Sequence, residues 1–144
     1  MAAPAGSRLV ACPSCRRKNR VPPAASGTPT CGSCGSPLPW VVEATDDTFG
    51  TRVEQSRLPV LVDLWAPWCG PCLMVSPIVE RLAATHRGRL KVATVNVDTS
   101  PGVTARFHAA NIPTLLLVKD GRAVDRLVGA VPEAQLGAWV ARHL

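Results

Sequence analysis

Six cysteines fall into three C-x-x-C pairs: Cys12 with Cys15, Cys31 with Cys34, and Cys69 with Cys72. Thiols so arranged either hold a metal or exchange electrons, and their surroundings separate the two. The first two pairs have fifteen residues between them, giving C-x2-C-x15-C-x2-C, a spacing that points to a four-thiolate zinc site. Two residues between ligands let a tight knuckle aim both sulfurs at one ion, and two knuckles complete a tetrahedron. Pro13 and Gly32 suit tight turns there. Two structural disulfides, or iron in place of zinc, are the alternatives for the same four residues. The third pair, Cys69-Gly70-Pro71-Cys72, stands where an apolar strand gives way to a helix, the setting in which C-x-x-C reads as redox chemistry. Cys69 at a helix N-terminus meets unpaired N–H groups and the positive end of the helix dipole, which favour a thiolate. Pro71 fits the first turn, where its missing N–H has no intrahelical partner.

The elements that must carry these groups follow an α/β pattern. Strands are expected at 40–44, 59–65, 90–96, 114–119 and 123–128, the last two as a hairpin around Asp120 and Gly121. Helices are expected at 46–55, with Thr45 or Asp46 near the N-cap, and at 71–87, 101–108 and from Pro132 to the end. Pro77 falls inside the second of these, where it removes one backbone bond and should kink the helix. The result is an α/β sandwich around a central mixed sheet flanked by helices. Residues 1–39 form a separate small unit, with Pro22 to Pro29 as the loop between knuckles and Ser36 to Pro39 as a stiff linker; residues 40–144 form the larger domain. Forty residues with little apolar content beyond Val10, Val21 and Leu38 cannot fold on burial alone, so metal must supply the stability.

The 144 residues carry a formal charge of +6, yet the excess is local. Residues 1–40 hold Arg8, Arg16, Arg17, Lys18 and Arg20 and no acid, while the remainder is nearly balanced. Four thiolates on Zn²⁺ add −2 to that basic segment, so part of its charge counters its own metal site. Six aromatics, none of them Tyr, argue against a base-stacking surface for nucleic acid. Leu9, Val10 and Ala11 are too short a run for a signal peptide, and Leu58 to Trp68 is interrupted by Asp63 and half the length of a membrane span. The chain reads as soluble and intracellular, without a membrane partner. His86, His108 and His143 show no ligand spacing.

Val62-Asp63-Leu64-Trp65-Ala66-Pro67-Trp68-Cys69-Gly70-Pro71-Cys72 resembles the active-site run of the thioredoxin family. Asn111-Ile112-Pro113-Thr114 is similar to its substrate-side proline loop, and Lys119-Asp120-Gly121 and Val128-Gly129-Ala130 extend the likeness over residues 40–144. With its cysteine-rich leader the chain resembles the bacterial thioredoxin 2 type, which carries an N-terminal zinc ribbon. The resemblance implies a thioredoxin fold behind the ribbon, one structural Zn²⁺ on Cys12, Cys15, Cys31 and Cys34, no organic cofactor, and a monomer in the cytoplasm. It implies a general protein-disulfide reductase, returned to the dithiol by an NADPH-dependent thioredoxin reductase, with oxidised proteins as clients. Cys69 would be the nucleophile and Cys72 the resolving thiol, across the Gly70–Pro71 turn.

Asp63 is the candidate base for Cys72, since a lone carboxylate in an apolar strand has its pKa raised by desolvation; a buried Asp satisfied by backbone donors is the alternative. The resemblance further implies a cis bond before Pro113, facing the cysteines, with Trp65, Trp68, Ile112, Gly129 and Ala130 around it as docking surface. Two positions depart from the common pattern: Thr94 and Leu73 each stand where lysine is frequent in the family. Acidity alone is a small part of such catalysis. Taking pKa 7, the value known for thioredoxin itself, in place of about 8.5 raises the thiolate fraction at pH 7.4 from about 7% to about 70%. Lower intrinsic nucleophilicity cancels most of that, leaving about a twofold gain. Positioning and the nearby second thiol must supply the rest. Two other readings are a zinc-dependent binding module for protein or nucleic acid on a thioredoxin platform, with Arg16, Arg17, Lys18 and Arg20 as the anion contact, and a redox-responsive zinc switch.

Overall fold

The computed structural model describes residues 6–24 and 27–144; Ala25 and Ser26, in the loop expected between the knuckles, lie outside them. The N-terminal unit opens with two short antiparallel strands, β1 (Arg8–Ala11) and β2 (Lys18–Val21), in register from Arg8 opposite Val21 to Ala11 opposite Lys18. Strand β3 (Val41–Glu43) follows, then a π-helical turn (Gly50–Glu54), β4 (Val60–Trp65), α1 (Gly70–Thr85), β5 (Lys91–Asn96), α2 (Pro101–Arg106), β6 (Thr114–Lys119), β7 (Arg122–Val128) and α3 (Glu133–Ala141). The main sheet has the order β3-β5-β4-β6-β7, with β3, β5 and β4 parallel, and β6 and β7 antiparallel to their neighbours.

Strand β4 is apolar at every position but Asp63 because both faces of the sheet are covered. Its alternation divides the core. Val60, Val62 and Leu64 join Val42, Phe49 and Val103 on one face, while Leu61 packs with Val75, Val79 and Leu82 of α1 and Leu136, Trp139 and Val140 of α3 on the other. The β6–β7 hairpin turns on Asp120 and Gly121, both at positive φ (52° and 78°), the conformation a two-residue primed turn requires.

The helix expected over 46–55 forms only in part. Thr45 caps this stretch, its N–H donating to Thr48 Oγ1 at 2.9 Å, but regular structure is confined to the π-helical turn, where Gln55 N–H reaches back five residues to the Gly50 carbonyl at 2.9 Å. Asp46 instead caps α2 from 56 residues away, accepting the Gly102 and Val103 N–H groups at 2.9 and 2.8 Å. Pro77 lies inside α1, which runs through it.

The N-terminal unit packs on the sheet rather than hanging from it. Leu38, in the stretch expected to be a linker, is buried, and Cys12, Val21, Cys31, Leu38 and Trp40 share one continuous apolar cluster with Val42, Val60 and Val95. Two polar contacts hold the 22–23 loop: Trp40 Nε1 donates to the Pro22 carbonyl at 3.0 Å, and Lys91 Nζ to the Pro23 carbonyl at 2.7 Å. The Lys91 ammonium also lies 3.9 Å above the centre of the Trp40 ring. Although only 1% exposed, Lys91 is thereby paired on two sides, and burial draws its pKa down to about 8, with the Arg52 charge adding to the shift.

Candidate active site and metal centre

The C-x-x-C at 69–72 sits on the first turn of α1, at the C-terminal end of β4. Cys69 is the N-cap, with extended backbone, and its Sγ accepts the Cys72 N–H at 3.2 Å. A free helix N–H thus points at the sulfur that would carry negative charge. Cys69 and Cys72 are joined as a disulfide, so the structure shows the oxidised state. Cys69 is 5% exposed and Cys72 wholly buried, an asymmetry that leaves the first sulfur as the reachable one.

Opposite them, the Ile112–Pro113 peptide is cis, and the Ile112 carbonyl oxygen lies 3.8 Å from Cys69 Sγ. Gly129 N–H donates to the Pro113 carbonyl at 2.8 Å, which brings the second loop alongside the first. Gly129 has φ +96°, and a side chain there would meet nothing within 4 Å, so the backbone faces open space. Gly70 is likewise open. Ala130 is exposed, while Trp65 and Ile112 are half-buried against Ala66, Cys69 and Cys72. Trp68 is 69% exposed and is held by Asp98, whose carboxylate oxygens accept its Nε1–H at 2.9 and 3.2 Å. Asp98 escaped the sequence reading. Its signal was its place just beyond β5, parallel to β4, which puts it at the same end of the sheet as Cys69.

Asp63 lies mid-strand in β4, beside Thr94 of β5 and Leu115 of β6. It shares the α1 face with Leu61, is wholly buried, and neither carboxylate oxygen has a hydrogen-bond partner among the described residues. Burial alone pushes its pKa from 3.8 to about 7. The backbone-satisfied alternative is therefore excluded.

The four remaining cysteines meet. Their sulfurs all lie within 4.8 Å of one another, with Cys12 to Cys34 at 3.6 Å and Cys15 to Cys31 at 3.5 Å. A tetrahedron with zinc–sulfur bonds of about 2.3 Å has edges of about 3.8 Å, so these residues fit one such ion. The two knuckles share one backbone pattern. Arg16 N–H returns to the Cys12 carbonyl and Cys12 N–H to the Arg17 carbonyl; Gly35 and Ser36 do the same for Cys31, all at 2.8–2.9 Å. The left-handed residue is therefore Arg16 (φ 68°) in one knuckle and Gly35 (φ 77°) in the other. Gly32, expected to serve the turn, has no such φ. Cys31 Sγ receives N–H groups from Ser33 and Asn19 at 3.4 and 3.5 Å. The Cys34 and Ser33 backbone, then Asn19 and Cys15, hold its thiol below the usual range, at about 6, while Cys15, against the pull of the Arg17 backbone, is pushed up to about 11 by its contact with Cys31, so the pair shares one proton.

With this geometry in place, comparison with known proteins decides the family. The sequence profile of the thioredoxin family matches residues 40–142. The chain belongs to the thioredoxin family. It is 47% identical over 102 residues to thioredoxin 1 of Nostoc sp., covering 71% of this chain and 95% of that protein. To thioredoxin 1 of Synechococcus elongatus it is 48% identical over 100 residues, covering 69% and 94%. The thioredoxin of Haemophilus influenzae is 41% identical over 104 residues, covering 72% and 97%. The thioredoxin disulfide at 69–72 accordingly belongs to a thiol-disulfide oxidoreductase, and the four-cysteine unit precedes the matched stretch. Among the described residues no helix is long and apolar enough to cross a membrane.

Proposed function

We propose that this thioredoxin is a general protein-disulfide reductase of the thioredoxin 2 type, a zinc ribbon over 1–39 followed by a catalytic domain over 40–144, recycled in the cytoplasm by an NADPH-dependent thioredoxin reductase. The observation that carries the reading is the pairing of a reachable Cys69 with a buried Cys72 opposite the Ile112–Pro113 loop. The Cys69 thiolate attacks one sulfur of a client disulfide, a mixed disulfide forms, and the client's other sulfur leaves as a thiolate. Cys72 then loses its proton and attacks Cys69 Sγ, the client's second sulfur leaves, and the enzyme holds the disulfide seen here. Two electrons have passed to the client.

Asp63 takes the Cys72 proton. A carboxylate with pKa about 7 is matched to that transfer near neutral pH. Trp68, Ile112, Pro113, Gly129 and Ala130 receive the client. The open backbone at Gly129 supports docking of an extended segment by strand-like pairing, with Trp65 as packing support for the disulfide. In the ribbon, Cys12, Cys15, Cys31 and Cys34 would hold Zn²⁺, which cross-links the knuckles and stabilises the fold.

Insulin reduction coupled to NADPH through thioredoxin reductase tests the proposal. Cys69→Ser is expected to abolish turnover, and Cys12→Ser to lose the metal while retaining dithiol chemistry. Full activity in Cys69→Ser would overturn the reading.

A further inference from the structure

The ribbon does more than sit on the sheet edge. A cavity of about 440 Å³ runs along the α1 face of the sheet, and its walls come from both parts of the chain. Its floor is Trp65 and Thr94, its helical wall Ser76 and Glu80, and its outer wall Ser7 and Arg8 of the ribbon. The Arg8 guanidinium crosses the mouth, with one nitrogen 3.4 Å from the Val41 carbonyl of β3 and another 3.7 Å from Glu80 of α1. Ribbon placement is fixed nearby by the Lys91 and Trp40 contacts to Pro23 and Pro22, and by Gly6, where a Cβ would stand 3.1 Å from the Arg52 guanidinium.

The cavity borders the proton-transfer group without including it. Thr94 is the β5 partner of Asp63 in register, and Trp65 follows two residues later on the same face of β4. At the other side Ser76 Oγ donates to the Cys72 carbonyl at 3.3 Å. The hydroxyls of Thr94 and Ser76 give water the polar partners it needs to stay, and a buried carboxylate with no protein partner is a group that water ordinarily satisfies.

Resting on the proton-transfer reading of Asp63, we propose that the ribbon strand β1 closes a water vestibule beside the active-site carboxylate, and that Arg8 is a positioning residue for proton exchange between Asp63 and solvent. Arg8 acts as a strap from β1 to β3 and α1, limiting how freely bulk water reaches the carboxylate. The charged groups facing the vestibule are Arg8 of β1, Glu43 of β3, Arg52 of the π-helical turn and Glu80 of α1. From α1, Cys72 lies in the neighbouring apolar cluster with Trp65, Ala66 and Cys69. Strands β4 and β6 add no charged residue beside Asp63, its β6 partner being Leu115. The family likeness over 40–142 does not reach Arg8, so the ribbon alone brings this element.

The sign of one measurement separates the strap from a simple charge effect. Removing a nearby cation by itself raises a carboxylate pKa, whereas admitting water lowers one held up by desolvation. The titration of Asp63 is read by carboxyl ¹³C NMR in the oxidised, metal-loaded full chain, with Asp63→Asn to assign the resonance. Arg8→Ala is expected to lower the midpoint by about 0.5 or more and to shift the pH profile of insulin reduction the same way. Arg8→Met, which removes the charge but keeps a side chain across the mouth, is expected not to lower the midpoint, and Lys18→Ala, which removes an equal charge elsewhere on the ribbon, is expected to titrate as wild type. An unchanged or raised midpoint in Arg8→Ala, or an equal fall in Lys18→Ala, would overturn the proposal. If instead Asp63→Asn reduces insulin at the wild-type rate at every pH, the proton-transfer reading fails, independently of the Arg8 titration.

Discussion

Asp63 is the most costly residue in the chain to keep ionised. Its carboxyl titrates near 7 in the fold and near 3.8 when unfolded, because burial penalises the charge and no donor offsets it. At 1.36 kcal/mol per pH unit, the folded state above pH 7 carries a penalty of about 4 kcal/mol that is absent below pH 3.8. The folded state holds its proton more tightly, so the contribution of Asp63 to stability is most favourable below pH 3.8 and is lost as pH rises from there through 7. Asp63→Ala removes the penalty and leaves a small cavity. It is expected to gain about 3 kcal/mol at pH 8 and to lose about 1 kcal/mol, the cavity cost alone, at pH 3, checked by urea unfolding at both. Asp125 gives the opposite slope. The Arg126 N–H, then His143 and Trp139, hold its carboxylate below the usual range, so stability it contributes is present above the unfolded pKa and lost as pH falls through the folded one. That these two carboxylates differ was half legible in the sequence. Asp63 stands alone in an apolar strand, whereas Trp139 on α3 and His143 just beyond it lie 14 and 18 residues from Asp125 and meet it only after folding.

Strand and helix positions were largely readable, since β4, β5, β6 and α1 follow apolar runs and cap signals that lie close together in the chain. What the sequence hid were contacts between distant elements. Asp46 has the type and place of a cap for its own segment, yet it serves α2. Gly102 is required for that approach, since a Cβ there would stand 3.0 Å from the carboxylate. Asp46→Ala is expected to cost about 1 kcal/mol and to raise amide exchange at Gly102 and Val103, leaving the 45–48 turn protected. Similarly, Lys91 opens a strand where lysine is ordinarily exposed, and it is covered by the Pro23 loop together with Trp40. The two knuckles make a natural comparison: one uses glycine at the left-handed position and the other Arg16. Arg16→Gly is expected to stabilise the ribbon by about 0.5–1 kcal/mol, seen as slower metal transfer to a chelator.

At the scale of the whole chain, two of the candidate metal ligands are also core residues. Cys12 and Cys31 are buried in the cluster that contains Val42, Val60 and Val95, so the four-cysteine cluster and the sheet share an interior. Chelation is therefore expected to lower one cooperative transition in calorimetry by about 10 °C or more, at about 3 °C per kcal/mol for a chain of this size, instead of melting the ribbon alone. Two resolved transitions would contradict the shared core. The aromatic inventory gives this arrangement an optical use. With no Tyr, ultraviolet emission comes from four indoles, and each stands beside a different working part. Trp40 lies under the Lys91 ammonium at the ribbon contact, Trp65 against the disulfide, Trp68 exposed beside Asp98, and Trp139 on the Asp125–His143 pair. Single-tryptophan versions would turn the chain into its own set of reporters, so that ribbon undocking, disulfide reduction, changes at the exposed Trp68 surface and loosening of α3 each have a separate colour or brightness signal.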